Sequence, residues 1–298
     1  MGSVTVLLSS YNGEQYISEQ IESILSQKGV SVNLIVRDDG SKDTTPQILN
    51  EYQEKGKLIV LKSESNLGFA MSFLTLLKNA PESDYYAFAD QDDIWLDNKL
   101  STAIEKIKEL DSSKCLYCSN LTVFRDNQIG GLMRPVGAEV DEYSCLNRNI
   151  STGCTIVFDS SLKELVLKHI DSSIYPIKCH DLWLFHTALY LGTYYYDDES
   201  HILYRQHSGN QIGAKDTFKG KLLSKRRSFK NFREQRYREE EANNLLNCYY
   251  EILSNEQKEI IKAVAYYRKS FFSKLRLICN RKYDTGFYDK MRILLGIY

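Results

Sequence analysis

The stretch Tyr85-Tyr86-Ala87-Phe88-Ala89-Asp90-Gln91-Asp92-Asp93 decides the reading of the fold. An unbroken apolar and aromatic run passes directly into three carboxylates. Short continuous apolar runs are what strands buried on both faces look like, and such strands belong to parallel sheets covered by helices. Toward the N-terminus, residues 4–8, 32–36 and 58–61 are further runs of this kind. Between them lie helical patterns: Ile17, Ile21, Ile24 and Leu25, then Ile48, Leu49 and Tyr52 behind Pro46, then residues 69–77. Downstream, Leu100, Ile104 and Ile107 mark a helix over 96–110. This alternation predicts an α/β fold: a Rossmann-type, mostly parallel sheet flanked by helices.

In such sheets ligands sit at the carboxyl ends of the strands. The first strand runs into Ser9-Ser10-Tyr11-Asn12, the second into Asp38-Asp39-Gly40-Ser41 and the fourth into Asp90-Gln91-Asp92-Asp93. Any one of these could be a turn or a helix cap. Three on one rim point to a binding site. Like charges as close as Asp90, Asp92 and Asp93 repel unless a cation or solvent compensates. Aspartate oxygens are hard ligands suited to Mg²⁺ or Mn²⁺, whose coordination is completed by waters and substrate phosphates. Neither G-x-G-x-x-G nor G-x-x-x-x-G-K-[ST] occurs, which argues against nicotinamide dehydrogenases and P-loop enzymes and leaves phosphate charge to be met by the metal.

The opening Val-Leu-Leu-Ser-Ser-Tyr-Asn-Gly, then Arg37-Asp38-Asp39-Gly40-Ser41 with Asp43-Thr44-Thr45, then Asn66-Leu67-Gly68-Phe69-Ala70, then Ala89-Asp90-Gln91-Asp92-Asp93-Ile94-Trp95, resemble family 2 glycosyltransferases of the GT-A fold in order and spacing. The resemblance covers roughly residues 4–210. It implies inverting transfer of a sugar from a nucleoside diphosphate to an acceptor hydroxyl, with a divalent metal at the D-x-D. By the same resemblance Ser10 and Tyr11 line the nucleobase pocket, Asp38 accepts a hydrogen bond from the base, Asp90 faces ribose and metal, and Asp92 is the main metal ligand. Asp39 is expected to support the turn. Asp93 is left between a water-mediated ligand and a helix cap, and Trp95 between packing and sugar contact.

Transfer to a hydroxyl needs a base for the acceptor proton. Cys179-His180-Asp181-Leu182-Trp183-Leu184 opens a helical pattern and resembles the His-Asp-x-Trp segment of the family's bacterial polysaccharide branch, which makes Asp181 the implied general base and His180 a positioning group. Read without that resemblance, Asp181 is a helix cap. Tyr204-Arg205-Gln206-His207 follows a strand at 202–204 and resembles the Tyr-Arg-x-His segment of the same branch; His207 would complete the metal–diphosphate site, with Arg205 suited to phosphate. Gly153, inside Ser151-Thr152-Gly153-Cys154, marks close approach of a ligand or another backbone and with His180, Trp183 and Arg205 completes the expected donor or acceptor pocket. The combined patterns look like rhamnosyltransferases, implying dTDP-L-rhamnose and a lipid-linked saccharide acceptor. A UDP-hexose donor is the alternative, because thymine and uracil offer Asp38 the same N–H. A nucleotide-sugar-binding subunit without activity is the non-catalytic reading, against which Asp92, Asp181 and His207 stand together.

The chain has 298 residues, 43% hydrophobic and 26% charged, as globular proteins are. Its formal net charge of −1 hides an asymmetry. Residues 1–218 carry 19 Lys+Arg against 30 Asp+Glu, and residues 219–298 carry 19 against 9. The expected division is a catalytic domain over 1–218 and a basic helical extension over 219–298, with helices at 242–253 and 260–277. Residues 219–238 alternate Lys and Arg with Leu222, Phe229, Phe232 and Tyr237, a composition suited to an anionic membrane surface. Homo-oligomer contact and nucleic acid are the competing uses, and no nucleic-acid motif accompanies the run. Seven cysteines cannot form a complete disulfide set, and Cys115-x-x-Cys118 lies in a strand-like stretch without a second pair, so buried thiols are expected rather than zinc. No stretch approaches the ~20 apolar residues of a membrane span, so the expected location is cytoplasmic, peripheral to the inner face of the plasma membrane.

Overall fold

The computed structural model describes residues 2–63, 65–207 and 236–298. Nine strands form one sheet: β1 (Ser3–Ser10), β2 (Ser31–Asp38), β3 (Ile59–Leu61), β4 (Tyr85–Ala89), β5 (Ile94–Trp95), β6 (Cys115–Arg125), β7 (Gln128–Leu132), β8 (Val157–Asp159) and β9 (Thr193–Arg205). Their spatial order is β3-β2-β1-β4-β8-β6-β9-β5, with β7 on β6. The first four strands are parallel, and register sets Ser10 opposite Asp38 and Leu8 opposite Ala89. Hence the segments that follow β1, β2 and β4 emerge on one rim, as the strand-end argument requires. Beyond β4 the sheet is mixed: β8 is antiparallel to both β4 and β6, β6 and β9 are parallel, and β5 is antiparallel to β9.

Helix α1 (Ile17–Leu25) buries Ile17, Ile21 and Ile24 at i, i+4 and i+7, a single apolar stripe facing Val4, Val6 and Leu8 in the same core. Helix α2 (Thr45–Glu54) carries Pro46 in its first turn, where the missing N–H costs nothing. Helix α3 (Phe69–Asn79) follows Gly68. Helix α4 (Lys99–Glu109) begins three residues later than its periodicity suggests. The reason is that Ile94 and Trp95 pair with Leu203 and Ile202, so the backbone stays extended there. Helices α5 (Ser160–His169) and α6 (His180–Leu191) complete this part, and α6 is buried on almost every side. Cys115 and Cys118 are buried free thiols of β6.

The chain divides into two compact units. The first comprises Met1–Glu139, Ile150–Lys168 and Lys178–Arg205, and holds the whole sheet. The second comprises Val140–Asn149, His169–Ile177 and Gln206–Tyr298. Its described helices are Tyr237–Tyr249, Asn255–Ala265, Phe271–Cys279 and Phe287–Leu295, with Leu245, Tyr249, Ile261, Val264 and Tyr267 buried. The single helix expected over 260–277 is two, broken by the 3-10 turn Tyr267–Lys269. Ser270 restarts the helix by accepting the Ser273 N–H at 3.0 Å, and Ser254 forms a capping box with Gln257 at the helix before. The expected boundary at 218 and the basic residues 219–235 lie outside the described residues.

Candidate functional site

The rim is assembled by polar side chains bridging the strand-end segments. Asp38, the last residue of β2, accepts Ser10 Oγ at 3.1 Å and the Ser41 N–H at 3.0 Å. Gly40 makes that turn with φ +87°, a conformation side-chain-bearing residues avoid. Asp39 points the other way into the protein. Its carboxylate pairs with buried Arg37 and accepts the N–H groups of Leu67 and Gly68 at 2.7 and 2.8 Å, while its carbonyl accepts Asn66 Nδ2. Asp39 thus fastens the third motif to the second, while the turn it was expected to support is closed by the Asp38 carboxylate on Ser41.

Gln91 performs the corresponding task for the first motif. Its side chain accepts the Tyr11 N–H at 2.8 Å and donates to the Tyr11 carbonyl at 3.1 Å. A Cβ at Gly13 would stand 2.3 Å from Gln91 Oε1, so a side chain there would push the amide off its bonds to Tyr11. The Tyr11 ring itself is exposed.

After β4 the acidic side chains gather in a cluster. One ligand atom each from Asp90, Asp93 and Cys154 lie within 4.8 Å of one another. Burial, then the charges of Asp92 and Asp181, push the Asp90 carboxyl up to about 7. Burial and the same crowding, from Asp92 and Asp90, raise Asp93 well above the usual range, and Cys154 rises for like reasons. Asp93 accepts the Arg205 N–H at 3.1 Å through Oδ1, whereas its buried Oδ2 has no hydrogen-bond partner among the described residues. Lys99 opens α4 with its ammonium buried over the Trp95 ring, 3.8 Å from the centroid. Desolvation lowers it to about 7 despite the opposing pull of Cys154 and Asp93.

The second half of the chain adds Asp181, in the first turn of α6, with Oδ1 accepting the Leu182 N–H at 2.8 Å. Gly153 sits in a 3-10 turn, where a Cβ would approach His180 Nε2 to 3.2 Å and Asp181 Cβ to 3.5 Å. The close approach is therefore to the start of α6. His180 stacks on Phe73 with centroids 3.9 Å apart and meets Phe88 edge-on; burial lowers its pKa to about 4. Trp183 and Trp95 are both buried. Arg205 spends its guanidinium on Glu19 and on the Asp92 carbonyl, 2.8 Å from Nε, and lies over the Tyr16 ring. It therefore fixes the backbone of the acidic segment. His207 belongs to the second unit, and Ser208, Gly209 and Asn210 lie outside the described residues.

Residues 5–165 of this chain match the family model described as Glycosyl transferase family 2. The chain belongs to that family. Among curated relatives of this family 2 glycosyltransferase, the Shigella flexneri dTDP-rhamnosyl transferase RfbG is 31% identical over 224 residues, 72% of this chain and 76% of that one. An Escherichia coli protein, UDP-Glc:alpha-D-GlcNAc-diphosphoundecaprenol beta-1,3-glucosyltransferase WfgD, is 33% identical over 160 residues, 53% of this chain and 61% of its own. Among solved structures, S. aureus TarS 1-349 in complex with UDP-GlcNAc superposes with a TM-score of 0.59 at 19% identity, covering 98% of this chain and 81% of that chain. Mannosyltransferase PcManGT from Pyrobaculum calidifontis, in complex with GDP-Man and Mn2+, gives 0.54 at 15%, covering 98% and 79%. The fold is the GT-A type, and the chain is a glycosyltransferase.

The donor set of this family 2 enzyme fits a hard divalent cation. The clustered Asp90 and Asp93 carboxylates and the unpartnered Asp93 Oδ2 call for positive charge, whereas the Cys154 thiol is a soft group that Mg²⁺ and Mn²⁺ do not favour. Sequence reasoning missed Gln91, Cys154 and Lys99. A glutamine between aspartates and a cysteine after glycine carry no distinctive pattern. A lysine opening an amphipathic helix looks solvated, and its burial depends on the Trp95 ring.

Proposed function

We propose that this glycosyltransferase moves L-rhamnose from dTDP-rhamnose, by one inverting displacement, onto a hydroxyl of a lipid-linked saccharide in a growing bacterial surface polysaccharide. The enzyme works at the inner face of the plasma membrane, which its basic C-terminal region contacts. The observation that carries the chemistry is the meeting of Asp181 with the D-x-D segment: its charge acts on Asp90, far away in sequence, and Gly153 lets α6 come this close.

In this reading Ser10, Tyr11 and Asp38 hold the nucleobase, with Asp38 accepting its N–H, and Asp90 faces the ribose. Asp92 and His207 hold Mg²⁺ or Mn²⁺, aided by Asp90 and Asp93. When bound, such an ion would supply counter-charge for the departing nucleoside diphosphate. Asp181 takes the acceptor proton, with Gly153, His180 and Trp183 shaping the wall of the sugar pocket and Arg205 bracing the metal segment. The hydroxyl then attacks the anomeric carbon from the face opposite the leaving group. Similarity to the Shigella dTDP-rhamnosyl transferase supports the donor. A UDP-hexose is the second reading, favoured by similarity to the UDP-Glc-dependent E. coli relative.

Asp181→Asn should cut sugar transfer by about 10²–10⁴-fold, the range of a positioned base, while nucleotide affinity stays unchanged. Turnover assayed by nucleoside diphosphate release, beside calorimetric nucleotide binding, reads both quantities; full activity in the variant removes Asp181 from the mechanism. Chelation should stop transfer in the same assay, and metal-independent turnover would overturn the metal site. A panel of dTDP- and UDP-sugars separates the two donor readings.

A further inference from the structure

The last two described helices of the second unit turn apolar side chains outward. In Phe287–Leu295, the exposed residues Phe287, Met291, Leu294 and Leu295 fall at i, i+4, i+7 and i+8, the spacing of a single helical face. Tyr288 lies beside them, while Ile293 alone of that helix is fully buried. In Phe271–Cys279, Phe271 and Phe272 are exposed at 62% and 80%. Lys274 Nζ donates to the Leu294 carbonyl at 2.9 Å, tying the first turn of one helix to the last turn of the other. Phe271 and Phe272 thus stand at the end of the helix that Lys274 ties to Leu294.

Apolar stripes normally face a core, and contiguous exposed ones mark an interaction site. The charge around this one names the partner. Residues 266–298 contain eight Lys or Arg against two Asp. Lys269, Arg276, Arg281, Lys282 and Lys290 are exposed, and Lys290 borders the Phe287–Leu295 stripe. A second copy of this chain would bring the same excess of cations against itself. An anionic bilayer neutralises them and takes up the aromatic rings at headgroup depth. Each helix is nine residues long, against the ~20 needed to span a bilayer, and no described helix is long and apolar enough to cross.

We propose that Phe271, Phe272, Phe287, Met291 and Leu295 form an in-plane lipid-contact surface, with Lys269, Lys282 and Lys290 binding anionic headgroups. It rests on the peripheral-membrane reading above and names the part of the fold that enters the lipid.

Sedimentation of the full chain with phosphatidylglycerol–phosphatidylcholine vesicles, and with phosphatidylcholine alone, tests it. The parent chain should bind the anionic vesicles, and the double variant Phe272→Ser/Phe287→Ser should bind at least about tenfold more weakly. Both side chains are exposed, so the melting temperature should not change; Phe272→Leu should retain most of the binding. If the parent binds and the double variant binds equally, the surface assignment is overturned while membrane association stands. If the parent fails to bind even at low salt, both fall. A lipid-free dimer abolished by the double variant would make the patch a self-association surface and also overturn the proposal.

Discussion

His180 is a histidine held where it is hard to protonate. It is enclosed by Phe73 and Phe88, and neither ring nitrogen has a hydrogen-bond partner among the described residues. Its pKa, lowered to about 4, lies below the ~6.5 of an unfolded histidine. The unfolded chain therefore binds the extra proton first, and folded stability declines as pH falls from about 6.5 toward 4. The linkage is on the order of 3 kcal/mol across that window. Urea unfolding at several pH values should show it, and His180→Phe should flatten the slope. An unchanged slope would mean that another group carries the acid sensitivity. At this scale Asp38 was legible as the residue that closes a strand, and Asp90 and Asp92 as residues that follow one. The fate of His180 was not, since a histidine beside aspartate looks the same whether its ring meets solvent or Phe73.

The elements cohere through a few buried polar ties, of which Arg37 with Asp39 is the most exacting. The pair is almost wholly buried, and Asp39 also receives the Leu67 and Gly68 N–H groups. Asp39→Ala removes the carboxylate from a buried guanidinium, leaving it on the neutral oxygens of Ser63, Ser65 and Ser72, and releases the segment before α3, so a loss of about 3–5 kcal/mol is expected in denaturant unfolding. Replacing both partners with apolar residues should restore part of that loss, because the desolvated charge is then gone as well. A cost under about 1 kcal/mol for the single change would show that water reaches Arg37. Strands β1, β2 and β4 and helices α1 to α3 were readable because each fills its own apolar period. The late start of α4 and the division of 260–277 were not: the first depends on pairing with β9 a hundred residues on, the second on a serine cap competing with an otherwise continuous helical pattern.

At the scale of the whole molecule, the two compact units do not map onto two consecutive blocks of chain. The second unit draws in 140–149 and 169–177, and its own interior uses them: Asn244 accepts the N–H groups of Ile174 and Tyr175 at 3.0 and 2.9 Å, and Arg238 donates to the Asn147 carbonyl at 2.8 Å. A chain cut after residue 218 would leave both segments without these partners. It should bind a hydrophobic dye and aggregate on warming, whereas the full chain should not; a soluble, cooperatively melting 1–218 fragment would show that the sheet unit stands alone. The alternation that made the sheet readable carries no mark of this interleaving, because a short insert looks like a loop until the helices that cover it are in place.

None of the seven cysteines is in a disulfide; five are buried, Cys179 is half-buried and Cys279 is exposed. Cys279 closes the helix that begins with Phe271 and Phe272. Thiol chemistry can therefore address one native position ahead of the rest, without engineering a cysteine-free background. A polarity-sensitive fluorophore coupled there would turn the outward-facing helix into its own optical reporter.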